Sequence, residues 1–196
     1  MISMEYNKEK KEIILNRELS KLDKFVFDFI KVLEKYTDYV IISGYISILL
    51  GRARATEDID LFMKRISKEK FSELYKELKN NNFFCLNAEK DDDIFSYLND
   101  KLAVRFGKNN NPIPNFEIKF PKRKIDEEGF DDFITVITPH GKLKISSFER
   151  HIAFKKYYLK SPKDIEDALH VEELFKDKID YGKINKLKEI VKNIKD

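Results

Sequence analysis

Asp58 and Asp60 flank a single isoleucine in the segment Thr56-Glu57-Asp58-Ile59-Asp60-Leu61-Phe62-Met63. Residues two apart on a strand point to the same face, so this spacing sets two carboxylates side by side. Holding two buried like charges without a partner is costly. A hard divalent cation bound by oxygen ligands, magnesium above all, offsets that cost; the plain alternative is a strand end with two solvated aspartates. Upstream, the apolar run 39–42 meets Ser43-Gly44 and then an apolar segment over 45–50. Glycine at that junction permits a tight turn and a close backbone approach, and the first amides of a following helix are unpaired and suit an anion. Downstream, Glu117 stands between Phe116 and Ile118 and supplies a third carboxylate on an apolar strand. Three carboxylates can hold two metal ions roughly 4 Å apart, which activate an attacking oxygen and neutralise a leaving pyrophosphate.

This combination resembles the nucleotidyltransferase superfamily of polymerase-β type, in which an apolar-Gly-(Gly or Ser) turn precedes an Asp-x-(Asp or Glu) strand and a third acid follows on a later strand. Arg54-Ala55-Thr56-Glu57-Asp58-Ile59-Asp60 is similar to the Arg-x-Thr-x-Asp-Ile-Asp signature of the branch that holds the abortive-infection toxin nucleotidyltransferases and related uncharacterised archaeal and bacterial proteins. Ala153-Phe154-Lys155, followed by Lys163-Asp164-Ile165-Glu166-Asp167, resembles that branch's Ala-x-Lys…(Arg or Lys)-Asp-x-x-Asp ending. The resemblance spans about 40–168. It implies that Asp58 and Asp60 bind two magnesium (or manganese) ions, and that Glu117 binds the ion that activates the acceptor. Ser43 and Gly44 would hold the β- and γ-phosphates of an NTP, with Ser43 standing where glycine is common. Arg54 and Thr56 would belong to the nucleotide seat, Lys155 would meet phosphate, and Asp167 would orient Lys155. The implied acceptor is a hydroxyl on tRNA, protein or a small molecule, and the implied partner is an antitoxin.

The residues themselves say more about the second cluster. On a helix, Phe148, Ile152, Lys155 and Leu159 share one face, which turns Lys155 inward and Lys156 onto the face of Glu149, Ala153 and Lys160. An inward ammonium needs an anion, either a triphosphate or Asp167. Ser161-Pro162-Lys163-Asp164 reads as a helix start, with serine as cap and proline at the first position. Arg52 and Arg54 reach a triphosphate or acceptor, or else pair with Glu57 or face solvent. Phe148, Phe154, Tyr157 and Tyr158 read as core; His140, His151 and His170 lack metal-ligand spacing; Lys183, Lys186, Lys188, Lys192 and Lys195 read as a solvated helical face.

Several elements must position these groups. Ser20-Lys21-Leu22-Asp23 is a capping box opening a helix whose apolar face carries Phe25, Val26, Phe29, Ile30 and Leu33. Strands are expected over 39–42, 59–63, 83–86, 102–106 and 115–120, and helices over 9–17, 45–50 and 67–80. A loop fills 109–114, and a hairpin joins 133–138 to 143–145. From Ser147 the pattern is helical, broken at Ser161-Pro162 and Tyr181-Gly182. The resulting fold class is α/β (α+β): a polymerase-β-like core over 1–146, with a mixed sheet flanked by helices, and a C-terminal helical subdomain over 147–196.

With 196 residues and 42% hydrophobic content, the chain can bury a sizeable core. The 38 basic and 35 acidic residues nearly cancel, which argues against a dedicated nucleic-acid coat. The single cysteine, Cys85, excludes an internal disulfide and a thiolate zinc cluster. No apolar run reaches membrane-spanning length, and charge within the first residues is unlike a leader, so the expectation is a cytoplasmic protein without membrane contact. Two rivals remain at this level. One is an Asp-x-Asp sugar transferase, which needs neither Ser43-Gly44 nor Glu117. The other is a catalytically silent nucleotide-binding or antitoxin-like module.

Overall fold

The computed structural model describes residues 3–194; Met1, Ile2, Lys195 and Asp196 lie outside it, and with them the first residues of the expected leaderless start and the last lysine of the C-terminal row. The chain begins with two strands, β1 (Ser3–Asn7) and β2 (Glu12–Asn16), where a charged helix was expected over 9–17. Ile13 and Leu15 are buried while Ile14 is exposed, so the period there is two and not 3.6. Helix α1 (Lys21–Leu33) follows, then β3 (Tyr39–Ile41), α2 (Gly44–Leu49), β4 (Asp58–Met63), α3 (Lys68–Asn80) and β5 (Phe83–Cys85). Helix α4 (Asp91–Asn99) went unread in the sequence. Its first turn carries Asp91, Asp92 and Asp93, which suit the positive end of a helix, and it buries Ile94 and Leu98.

Strands β6 (Val104–Lys108) and β7 (Asn111–Lys119) form a hairpin, so the expected loop over 109–114 shrinks to a two-residue turn. Asn109 (φ 55°) and Asn110 (φ 59°) both take the left-handed conformation such a turn demands. The short helix α5 (Lys124–Glu127) and a 3₁₀ turn (Glu128–Phe130) lead into the hairpin of β8 (Phe133–Thr138) and β9 (Gly141–Ser146). The last third is α6 (Phe148–Phe154), a π-helical turn (Lys155–Leu159), α7 (Pro162–Phe175) and α8 (Tyr181–Lys192).

Among the described residues, nine strands join one mixed sheet in the order β1-β2-β8-β9-β3-β4-β7-β6-β5. The β2–β8, β9–β3 and β4–β7 contacts are parallel and the others antiparallel. Helix α1 covers one face, where Phe29 stacks on Phe116 at 4.1 Å and meets Phe83 edge-on at 5.0 Å. Phe148, Ile152, Ala168, Val171 and Phe175 bring α6 and α7 into the same core. No helix among the described residues is long and apolar enough to cross a membrane.

The capping box does more than start α1. Asp23 is wholly buried. It accepts from the Ser20 backbone N–H at 2.8 Å, from both Arg17 terminal nitrogens at 2.7 and 2.9 Å, and from the Tyr45 hydroxyl at 2.7 Å. One carboxylate thus ties the end of β2, the start of α1 and α2 together. Burial pushes its pKa up, but the hydrogen bonds from Arg17, Ser20 and Tyr45 prevail and hold it below its ordinary value. A depressed folded pKa stabilises the fold above the unfolded value, and that contribution is lost as pH falls through the folded one. Asp23→Asn leaves Arg17 without its counter-charge. It is expected to cost about 3 kcal/mol, read as a lower urea midpoint at unchanged slope, with less acid-dependent loss of stability than in the unsubstituted protein.

Candidate active site

Alternation along β7 decides where its carboxylate goes. Phe116 and Ile118 are committed to the core, so Glu117 must face the other way. The parallel register pairs Asp60 with Glu117 and Asp58 with Asn115. Asp58, Asp60 and Glu117 therefore share one sheet face on adjacent strands. Thr56 donates its hydroxyl to the Asp58 carbonyl at 3.0 Å and to its carboxylate at 3.3 Å.

Two cations already attend this trio. Lys119, two residues beyond Glu117 and on the same face, places its ammonium 2.6 Å from Glu117 Oε1 and 3.3 Å from Asp60 Oδ1. Arg105 of β6, paired opposite Glu117, donates to Glu117 Oε2 at 2.7 and 3.0 Å. Burial raises the Asp60 carboxyl above its ordinary value; Lys119 opposes this, while Glu117 and Asp58 add to it. For Glu117 burial also pushes upward, but the hydrogen bonds from Lys119 and Arg105 overcome it and hold the group low. The oxygen-only donors and the unfavourably charged Asp60 fit a hard divalent cation. As arranged, no three carboxylates converge on one point among the described residues. Asp60 carries only the longer contact to Lys119, whereas Glu117 must release both Lys119 and Arg105 before it can join the two aspartates.

A cleft of about 460 Å³ opens beside Asp60, between β3–β4–β7 and the α6 segment; Ser43, Asp60, Lys119, His151 and Lys155 are among its lining. That volume is of ligand-binding size. Ser43 has φ 63° and ψ −143°, a conformation close to one that only glycine adopts without strain. Its hydroxyl makes no capping bond to α2. Gly44 is glycine for a second reason. A Cβ there would stand 2.8 and 2.9 Å from the terminal nitrogens of Arg54, whose guanidinium lies against the turn.

Arg54 is held there by Asp167 of α7 at 2.5 Å. Asp167 is wholly buried and also binds Arg52 and, at 3.0 Å, Lys155. Arg52 pairs with Glu166 as well, and Lys155 with Asp164 at 2.6 Å. Of the alternatives open for these arginines, neither pairing with Glu57 nor exposure to solvent is seen; both are paired with α7. Burial pushes the Asp167 carboxyl up, and Lys155, Arg52 and Arg54 bring it below its ordinary value. Asp164 keeps its capping place, since Ser161 accepts from its backbone N–H at 3.2 Å, and serves Lys155 too. His151, beside Ser47 at 3.3 Å, is pushed down to about 3 by burial and the nearby Lys155 charge, so it is neutral and weakly basic.

No family model matches the chain, and no curated protein does. Among solved structures it is similar to an antigenic nucleotidyltransferase-like protein from Paracoccidioides brasiliensis. The TM-score is 0.51 and the identity 19%, over 77% of this chain and 75% of that one. The fold is nucleotidyltransferase-like. Within this nucleotidyltransferase-like fold, Ser43, Asp60 and Lys155 line the cleft. Asp58 and Glu117 flank Asp60, while Arg54 and Asp167 bind each other beside Gly44.

One reading of this segment is corrected. Leu159 leaves the Phe148–Ile152–Lys155 face and is exposed, because the π turn closes from Lys160 N–H to Lys155 carbonyl and adds a residue to the repeat. Phe154 and Tyr158 pack, half-buried, against a small core cluster of Ile125, Ala153, Leu187 and Val191, and their outer sides line the cleft. Sequence reasoning missed Lys119, although the two-residue period from Glu117 marks it; Arg105 needs the β6–β7 register and carries no local signal.

The Ser43 geometry yields a stability test. Ser43→Gly removes the left-handed strain but adds freedom to the unfolded chain. It is expected to stabilise the protein by about 1 kcal/mol in urea unfolding, whereas Ser43→Ala, which keeps a Cβ, gives no such gain.

Proposed function

We propose that this chain is a metal-dependent nucleotidyltransferase, moving an NMP group from an NTP to an acceptor hydroxyl with release of pyrophosphate. The observation that carries this reading is the β4–β7 register, which sets Glu117 beside Asp60 and Asp58 at the edge of a cleft that also holds Ser43 and Lys155. In the reaction the acceptor oxygen bonds to the α-phosphorus, the bond from that phosphorus to the pyrophosphate oxygen breaks, and the hydroxyl proton passes to water. Asp58 and Asp60 would hold magnesium or manganese, with Glu117 joining them at a second ion. Two such ions supply charge neutralisation at the attacking and leaving oxygens. The Ser43 hydroxyl and the amides of its turn orient the triphosphate. Lys155, fixed between Asp164 and Asp167, offers the rest of its donor capacity to phosphate. Arg54 and Asp167 keep the turn at Gly44 in shape, and Thr56 orients Asp58.

Arg54-x-Thr56-x-Asp58-Ile59-Asp60 and Lys155 with Asp164 and Asp167 favour the abortive-infection toxin branch. Its implications follow as part of the proposal: a cytoplasmic enzyme, an acceptor on tRNA or protein, and an antitoxin partner. One observation favours the silent nucleotide-binding module instead, namely the occupation of both Glu117 oxygens by Lys119 and Arg105.

Pyrophosphate release with each NTP and magnesium separates the two. Asp58→Asn and Asp60→Asn are expected to fold normally and lose turnover by about 10²-fold or more. Glu117→Gln should keep NTP affinity and lose turnover to a similar extent, since its charge is needed at the acceptor oxygen. Near-full turnover in Asp60→Asn contradicts the assignment. NTP binding with no turnover in the unsubstituted protein supports the silent module.

A further inference from the structure

The cations of the cleft are not equally occupied. Lys119 is held by Asp60 and Glu117, Lys155 by Asp164 and Asp167, and Arg123 by Asp126 at 3.3 Å. Arg150 differs. It is only 5% exposed and lines the cleft, yet its guanidinium donates to the backbone carbonyl of Ile125, a neutral acceptor. Asp132, Glu128 and Asp126 influence it electrostatically, but no ion pair forms with it among the described residues. Lys122 lines the same end, is exposed, and has no side-chain partner among the described residues.

A buried guanidinium whose acidic neighbours act only at a distance, with none in direct contact, is costly. A ligand that brings the charge removes the expense, and the planar fork of arginine matches phosphate oxygens. Two rings at this end are already covered by guanidinium groups: Arg150 lies 6.0 Å from the Phe154 centroid and Arg123 lies 5.3 Å from that of Tyr158. The surface is therefore arranged for anions and not for stacking a base. It is also distinct from the donor seat. Arg150 and Lys155 are five residues apart on one helical run, so they project roughly 140° apart. Lys155 reaches α7, whereas Arg150 reaches α5.

We infer that the Arg150–Lys122 end of the cleft seats a phosphate of the acceptor, so that the receiving hydroxyl belongs to a phosphate ester and not to an uncharged or cationic molecule. This rests on the nucleotidyltransferase reading and deepens it by naming the acceptor's chemical class. Five cationic side chains line the cleft against two acidic ones, Asp60 and Asp126, a balance that repels a polycationic acceptor. Arg150 and Lys122 contact only the acceptor phosphate; they accept no proton and form no bond to the transferred group. The phosphate ester comes either from a polynucleotide end or from a phosphorylated sugar.

The test uses the full chain with magnesium and a non-hydrolysable NTP analogue, with a fluorescent single-stranded RNA trinucleotide and ribose 5-phosphate as separate probes. Lys122→Ala and Arg150→Met are expected to weaken one probe by about tenfold or more, with analogue affinity unchanged within about twofold. Loss of the RNA probe identifies a strand end, and loss of ribose 5-phosphate identifies a small metabolite. Equal loss of analogue and probe would assign the pair to the donor, and indifference of both probes would show that no acceptor phosphate sits there; either result overturns the inference. The exposed Lys122→Ala keeps the test decisive if Arg150→Met does not fold. Failure of the unsubstituted protein to bind the analogue would count against the transferase reading alone, because both probes still report on the phosphate seat.

Discussion

Asp167 is the interaction on which the rest of the site depends. A carboxylate wholly removed from water is tolerated only when cations meet it, and here Arg52, Arg54 and Lys155 all do. Those three come from two distant segments, the loop before β4 and the π turn after α6. Satisfying one buried charge therefore docks the C-terminal helices on the sheet. It also fixes the Arg54 guanidinium across Gly44, which explains why that residue carries no side chain. The cleft is the gap left between the two parts once this docking is complete.

The second constraint is alternation in the sheet. Phe116 belongs to the aromatic stack with Phe25 and Phe29, and that commitment turns Glu117 and Lys119 to the opposite face. Parallel pairing then sets Glu117 against Asp60. Three carboxylates on one face would repel one another, and the fold answers with Lys119 as an internal counter-ion and Arg105 at the flank. The Lys119 ammonium, set between Asp60 and Glu117, thus supplies part of the positive field that these neighbouring carboxylates need.

Much of this was legible in the residues. The Asp-x-Asp strand, the turn at Ser43-Gly44, the α1 cap and the inward side of Lys155 all follow from short-range periodicity, which is set locally. Where reading failed, the cause was long-range. The strand at 12–16 exists because β8, more than a hundred residues later, pairs with it; in isolation its charged flanks resemble a helix. Leu159 was misplaced because nothing in Lys155–Leu159 announces a π turn. The partners of Arg52 and Arg54 lie on α7, far beyond any sequence window. Lys119 was open to view, since one more step of the two-residue count from Glu117 reaches it.

The central claim is that Asp58 and Asp60 hold a metal ion together with the triphosphate of an NTP seated at Ser43. Crystals grown with manganese and a non-hydrolysable NTP analogue test it directly, because anomalous scattering locates the metal without assumption. The account predicts manganese within coordination distance of both aspartates, bridged to triphosphate oxygens that lie against the Ser43 turn. Manganese absent from that pair, with the triphosphate seated elsewhere, would contradict it.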